Sequence, residues 1–475
     1  MDPRFDLQAS VSIPAIREND EPREPLYARI RIVPRAGQLL RPRLNLSFLL
    51  DASASMHHFV LSPDQRDGWV RRAESRGEIK RQLTDGRTGV VWTGQTLKEL
   101  QQYVSTPMLS TLRGVWRMLE ALGPNDAVSV LAFADKHGVV YADAGAETQQ
   151  ARLGTARAAL ATLGGGVDQS GLGRGTRLKS ALEEAMARMG VGGEQPVVHR
   201  MLLVSDGVVE DREACIPMLE TAVDRGLVIS VIGVGEEFDE EFLMRVADLA
   251  RGNYYYAATA PEVEQAFNAE LGVMLRMFAD QATLTLRPTP ATLINDVYPI
   301  APSMGEFHAV WREQGGWKFR IGDLSAAQPP EFLVEMWPDA QALGPVNLGA
   351  VQVEGRDTET GQLYSRQAFL NILSTNDPML LQARDEEVLE TVRRLEVYRE
   401  ERRYAAAEAR GDMETATRHL QAATRMLKQM GNQELAGDMA AAAEEASSGT
   451  RNLARTKRLK AGTRKLSGPR PNPSV

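Results

Sequence analysis

The chain of 475 residues holds a single cysteine, Cys215, which excludes an intrachain disulfide and any multi-cysteine metal centre. No stretch approaches the roughly 18 consecutive apolar residues that a membrane-spanning helix needs. The amino-terminal MDPRFDLQAS lacks the basic and then apolar pattern of a secretory leader, so a soluble, cytoplasmic protein is expected. Catalytic signatures are also missing. No Ser/His/Asp order and no Cys/His pair stands out, which leaves hydrolysis without a visible nucleophile. The glycine-rich GLGRGT of 171–176 lacks the lysine of a phosphate-binding loop. Acidic residues are absent from the last 25 positions, which carry eight Lys and Arg, whereas the preceding 450 residues carry 47 basic and 63 acidic groups, a net charge of −16. A basic tail of this kind is expected to be flexible over 450–475. Such a run is more often simply solvated; otherwise it binds nucleic acid or another anionic surface, or folds back on its own acidic body.

What is present is globular: 43% hydrophobic and 25% charged residues over a length that implies two or three domains. Nearly continuous apolar runs at 44–50 (LNLSFLL), 126–134, 200–205 (RMLLVS) and 227–235 have the pattern of strands buried on both faces of a parallel sheet. Between them, Leu109, Leu112, Val115, Trp116, Leu119 and Leu122 recur at helical spacing, as do Leu178, Leu182, Ala185 and Met189. The alternation predicts an α/β, doubly wound, mostly parallel sheet over 44–277.

In such a sheet, ligands bind outside the carboxyl ends of the strands. DASAS puts Asp51, Ser53 and Ser55 at one such end, and LLVSDG puts Ser205 and Asp206 at another. Thr176 follows the glycine-rich loop between them. These candidates offer oxygen alone, which suits Mg²⁺, Mn²⁺ or Ca²⁺ and not zinc. Taken singly, each has a plainer explanation: Thr176 as a helix cap, Ser53 or Ser55 as a turn residue. Together and in this order, D-x-S-x-S at 51–55, Thr176 and Asp206 resemble the metal-ion-dependent adhesion site of a von Willebrand factor A domain. The resemblance implies that Ser53, Ser55 and Thr176 coordinate the ion. Asp51 and Asp206 would supply charge directly or through water, and an acidic side chain of a partner would fill the open position. Two departures stand out. Ala54 occupies a position that is usually glycine, and about 48 residues (57–104) separate the first loop from its helix. An excursion of that length is usually functional or disordered, and Phe59, Leu61, Trp69 and Trp92 argue against pure disorder. Tethered at both ends beside the site, it is expected to roof the site in part and select the partner, with Trp69 and Trp92 either anchoring that partner or packing the excursion onto the domain. His57 and His58 are assigned to packing at the rim of the loop.

The flanks are different in kind. Residues 25–33 alternate as a strand with one buried face, and further strand patterns follow at 278–370, including a hairpin about Gly315 and Gly316. An isolated strand cannot fold, so residues 1–43 are expected to join 278–370 in a β-sandwich into which the A-like domain is inserted, as in similar bacterial proteins. Residues 371–449 predict helices, with stripes at Leu381, Val388, Val392 and Leu395 and at Ala416, Leu420, Ala423 and Leu427, punctuated by Gly411 and Gly431. One helix pair resembles a tetratricopeptide unit, but no second copy accompanies it. The expected function is that of a non-enzymatic, divalent-cation-dependent protein-binding module whose partner supplies Asp or Glu to the metal, with no membrane role. Metal-dependent hydrolysis or phosphate chemistry, and RNA binding through the basic tail, stand as alternatives.

Overall fold

The computed structural model describes residues 4–18, 25–35, 41–59, 63–84, 87–143, 148–164, 170–190, 197–235, 238–305, 307, 311–313, 316–339, 342–448 and 452–466. Strands β1 (Phe5–Val11), β2 (Ala15–Ile16) and β3 (Leu26–Pro34) come first. Along β3, Leu26, Ala28, Ile30 and Ile32 are buried. On the opposite face Arg29 and Arg31 both pair with Glu331, so period-two patterning fixes which side meets the core.

The central unit opens with β4 (Leu44–Asp51) and a 3-10 turn at Ala54–His57. The excursion that follows comprises α1 (Pro63–Arg76), β5 (Ile79–Thr84), β6 (Arg87–Trp92) and α2 (Gly94–Tyr103). The chain continues through α3 (Pro107–Ala121), β7 (Ala127–Phe133), β8 (His137–Asp143), α4 (Gln149–Gly164), α5 (Lys179–Met189), β9 (Val198–Ser205), α6 (Arg212–Asp224), β10 (Val228–Val234), α7 (Glu240–Leu249), β11 (Arg251–Ala257) and α8 (Ala260–Leu275). The six strands lie in the order β11-β10-β9-β4-β7-β8, all parallel except β8. Residues on β4 alternate between two cores. Leu46, Phe48 and Leu50 pack with α3, α4 and α8, whereas Leu49 packs with α5, α6 and α7. Burial of each such side chain contributes about 1.5–3 kcal/mol, which explains why the strand tolerates so few polar residues. The chain order reverses between β4 and β9, so the carboxyl ends of these neighbours, Asp51 and Ser205–Asp206, flank the switch point.

Seven strands then complete the sandwich: β12 (Met277–Pro288), β13 (Thr292–Ala301), β14 (Trp311–Glu313), β15 (Gly316–Ser325), β16 (Glu331–Pro338), β17 (Gly344–Asp357) and β18 (Leu363–Ser374). One sheet has the order β1-β3-β16-β13 and the other β14-β15-β12-β17-β18-β2, so the amino-terminal strands do join the later ones, and the α/β unit is inserted between them. The second sheet runs to Ser374, four residues past the expected limit. In the expected hairpin, Glu313 pairs with Gly316, and Gly315 lies outside the described residues. Buried Arg200, near the start of β9, bridges the two units by pairing with Glu270 of α8 at 3.1 Å and Asp323 of β15 at 3.0 Å.

The carboxy-terminal segment forms α9 (Pro378–Gln382), α10 (Glu386–Ala409), α11 (Met413–Gln429), α12 (Gln433–Ser448) and α13 (Leu453–Arg464). Leu381 falls on α9, apart from the rest of its expected stripe, because the Asp385 carboxylate accepts from the amides of Glu387 and Val388 and starts a new helix there. Gly411 and Gly431, each at φ +75°, end α10 and α11. The flexible tail expected from 450 is a correction to record: 453–464 is helical, with Leu459 only 1% exposed. Charge counting missed it because the basic groups have partners within the protein. Arg455 pairs with Glu445, Lys460 with Glu240 and Arg464 with Asp248. Among the described residues no helix is long and apolar enough to cross a membrane.

Candidate metal centre

The first loop is tied to the sheet where β4 ends. Ala52 N donates to Phe133 O at 2.8 Å, and Ser53 N donates back to Asp51 Oδ1 at 2.9 Å. These bonds turn the chain, so that the hydroxyls of Ser53 and Ser55 stand 3.1 Å apart and face the end of β9. There Ser55 Oγ donates to Asp206 Oδ1 at 2.7 Å, with Ser53 Oγ 3.5 Å from the same oxygen. Ser205 Oγ donates to Asp51 Oδ2 at 2.6 Å and locks that carboxylate from behind. Ser53 precedes the 3-10 turn without capping it through its side chain, so its hydroxyl is left for this cluster. Ala54 is unstrained, since Arg251 and Gln281 are the non-glycine residues with positive φ among those described.

Thr176 arrives on a separate loop held almost entirely by carboxylates. Asp135, just past β7, accepts from the amides of Arg174, at 2.8 Å, and Gly175. Glu210 accepts from Thr176 N at 3.4 Å and from Arg177 Nε at 3.0 Å, and Asp211 accepts from Leu178 N and Lys179 N at 2.9 and 3.0 Å. Asp211 therefore caps α5 from another segment, and the cap position itself is Leu178. The helix-cap explanation of Thr176 fails on that geometry. Its hydroxyl instead faces the carboxylates across Gly207: a methyl group on Gly207 would stand 2.7 Å from Thr176 Oγ1 and 3.5 Å from Asp51 Oδ2.

All five residues singled out from sequence thus converge at one end of β4 and β9. Sequence reasoning placed Ser205 and the following glycine at the strand end without their roles behind Asp51 and as the gap, and it missed Asp135, Glu210 and Asp211 beneath the Thr176 loop. The dense run SDGVVED at 205–211 was the available signal.

The electrostatics favour a cation. Asp51 and Asp206 are buried, at 0% and 7% exposure, and among the described residues their side chains bond only to hydroxyls and backbone amides. Burial, and then the charge of Asp51, push the Asp206 carboxyl up to about 8, and burial raises Asp51 as well, against the hydrogen bonds of Ser205 and Ser53. Two buried carboxylates beside each other without a cationic side chain are costly unless positive charge is supplied. Three hydroxyls, two carboxylates and a cradle kept open by a glycine fit a hard divalent cation. Among the described residues no group of three or more His, Cys, Asp or Glu is placed to hold a metal, so a site here depends on the hydroxyls.

The excursion leaving at His58 and returning at Val104 is a folded α-β-β-α unit. Glu78 organises it by accepting from Gln95 N, Thr96 N and Thr96 Oγ1 at 2.8, 2.7 and 2.6 Å, which caps α2. The Arg72 guanidinium lies 5.0 Å from the centre of the half-buried Trp69 ring, and Trp92 pairs with Ile79 across the hairpin. Among the described residues the buried Nε2 of His57 has no hydrogen-bond partner, and burial lowers its pKa.

Comparison with known proteins agrees with this geometry. The description "von Willebrand factor type A domain" matches residues 101–269. The chain carries a von Willebrand factor type A domain. The match spans Thr176 and Asp206 and begins in the last turn of α2, at the end of the excursion, which separates β4 and the D-x-S-x-S loop from the rest of the A domain. A second description, "Sll0103-like, C-terminal alpha-helical domain", matches 386–469, which covers α10 to α13. The uncharacterised protein sll0103 of Synechocystis sp. is 26% identical over 319 residues, covering 65% of this chain and 71% of that one. Uncharacterised YfbK of Escherichia coli is 29% identical over 122 residues, 25% of this chain and 20% of that one. Among solved structures, a von Willebrand factor type A protein from Catenulispora acidiphila has a TM-score of 0.71 at 14% identity, with 97% of each chain covered. The ArnB paralog VWA2 from Sulfolobus acidocaldarius has a TM-score of 0.53 at 14% identity, covering 98% of this chain and 100% of that one. These likenesses show that the sandwich, A domain and helices form a shared fold. An A domain marks a chain of the interaction or adhesion type.

Proposed function

We propose that this A domain protein is a cytoplasmic, non-enzymatic adaptor that binds a protein partner through a divalent ion held by Ser53, Ser55, Thr176, Asp51 and Asp206. The observation that carries the reading is the convergence of three hydroxyls and two buried, uncompensated carboxylates around the gap at Gly207. A bound Mg²⁺ or Mn²⁺ supplies a coordinatively unsaturated positive charge that a partner's Asp or Glu completes. The chain's own residues do the rest. Ser205 holds Asp51 in place, and Ser53 and Ser55 fix one oxygen of Asp206. The three carboxylates under the Thr176 loop keep its hydroxyl on station, so the donor set is arranged before the ion arrives.

The test is capture on the immobilised full chain from an extract of its own cells in Mg²⁺. The reading expects a protein that is released by chelator, is not retained by the Asp51→Ala chain, and loses binding when one of its own Asp or Glu residues is changed to Ala. Retention that is indifferent to chelator and to Asp51→Ala would overturn it.

A further inference from the structure

The A domain's last helix is α8, yet a helix from beyond the sandwich, α13, meets the segment that begins α7 and the end of α7. Three cations of α13 at spacings of three and four share one face and meet α7 at both ends. Lys457, only 6% exposed, donates from Nζ to Phe238 O at 2.9 Å and lies 3.4 Å from the centre of the Phe238 ring. Lys460 Nζ is 3.2 Å from Glu240 Oε2. Arg464 Nη1 donates to Asp248 Oδ2 at 2.9 Å. Burying an ammonium is costly, and an apolar side chain would glue two helices together at less expense. A lysine whose ammonium meets a backbone carbonyl and the ring of the same residue sets the position of that residue.

That carbonyl lies one residue before Asp239, which is tied to the centre. Asp239 N donates to Gly207 O at 3.2 Å, so the residue next to Asp206 is tied to the start of α7. The Asp239 side chain caps α7 through Phe242 N at 3.2 Å and accepts from Arg212 Nη1 at 2.7 Å. Arg212 directly follows Glu210 and Asp211, which hold the Thr176 loop. A second route runs through the Phe238 ring, which packs on Gly233 so closely that a methyl group there would lie 2.5 Å from Cε2. Gly233 is in register with Ser205, whose hydroxyl holds Asp51. Both routes start at Phe238, and Lys457 fixes Phe238.

We infer that α13 is a strut of the metal centre, with Lys457 as a positioning residue, so that docking of the carboxy-terminal helix and occupancy of the centre favour each other. This rests on the metal-binding reading above. Its consequence is regulatory: whatever lifts α13 from α7 weakens the metal and partner site, and metal binding in turn seats α13.

The test uses the full chain and Mn²⁺ as probe. Lys457→Met keeps most of the apolar stem and removes the ammonium. The strut predicts that its Mn²⁺ affinity falls by about fivefold or more, the lower end of measured coupling between sites, whereas simple glue would lower the melting temperature alone. In the wild-type chain, amides of 453–464 should exchange with deuterium more slowly with Mn²⁺ than without. Equal Mn²⁺ affinity in the two chains overturns the strut. If Lys457→Met does not fold, the wild-type exchange decides, and exchange in α13 that is blind to Mn²⁺ overturns it. A wild-type chain that binds no Mn²⁺ removes the metal reading and this one with it; binding without linkage removes only the strut.

Discussion

Replacing Gly207 by alanine tests the centre at its tightest point. The glycine is needed for space: the added methyl would lie 2.7 Å from Thr176 Oγ1, well inside the ~3.5 Å at which such atoms attract. Thr176 cannot step aside cheaply, because Asp135, Glu210 and Asp211 bind the backbone amides on either side of it. The Gly207 backbone is also pinned, accepting from Asp239 N. The strain of such overpacking is about 1–3 kcal/mol in the metal-free fold. Metal affinity should fall by about 10- to 100-fold, as for other disturbances of the shell around a bound ion. Calorimetric titration with Mg²⁺, paired with thermal unfolding in chelator, reads both quantities. Gly207→Ala with unchanged affinity and unchanged stability would refute the reasoning, since it would mean that the gap is not the place where the donors meet.

Three further outcomes follow from other parts of the molecule. Burial pushes the Glu401 carboxyl up to about 7, against Lys460, Arg402 and Arg464 and with the help of Glu240. Its folded value therefore lies above its unfolded value of about 4.3, so its contribution is fully present below that pH and is lost as pH rises through 7. Glu401→Gln should match the wild type in melting temperature near pH 4.5 and exceed it increasingly up to about pH 7, and a difference that does not vary with pH would contradict this. Replacing 59–102 by a short Gly-Ser linker should leave Mg²⁺ affinity within a few fold but abolish retention of the partner. Partner binding at full strength would show that Trp69 and the rest of the excursion serve only as structure. Ser205→Ala, which removes the hydroxyl 2.6 Å from Asp51, should weaken Mg²⁺ by about tenfold while leaving the secondary structure seen by circular dichroism intact.

The sheet was legible because its central strands are covered on both faces, so Leu44 to Leu50 are apolar apart from Asn45 and Ser47, and Met201 to Val204 are apolar throughout. The edge strands β8 and β11 were not singled out. His137–Asp143 has one neighbour and exposed positions, and RGNYYYA lacks an aliphatic run. In the centre, the side chains that point at one another carried a recognisable order, whereas their supports did not. Asp135, Glu210 and Asp211 bind backbone amides, and an amide leaves no mark in a sequence. The basic tail misled for a different reason. Net charge says nothing of where partners lie, and Thr456, Leu459 and Thr463, buried at spacings of three and four, formed a helical stripe that the charge count hid.

The central claim is that Asp51, Ser53, Ser55, Thr176 and Asp206 bind one divalent ion, and calorimetric titration of Mg²⁺ and Mn²⁺ into the wild-type and Asp51→Ala chains tests it most directly. The account predicts a single site in the wild type and no heat of binding in the variant. In chelator the variant should melt no lower than the wild type, because removing Asp51 relieves its repulsion with Asp206. Equal binding by the two chains would contradict the account.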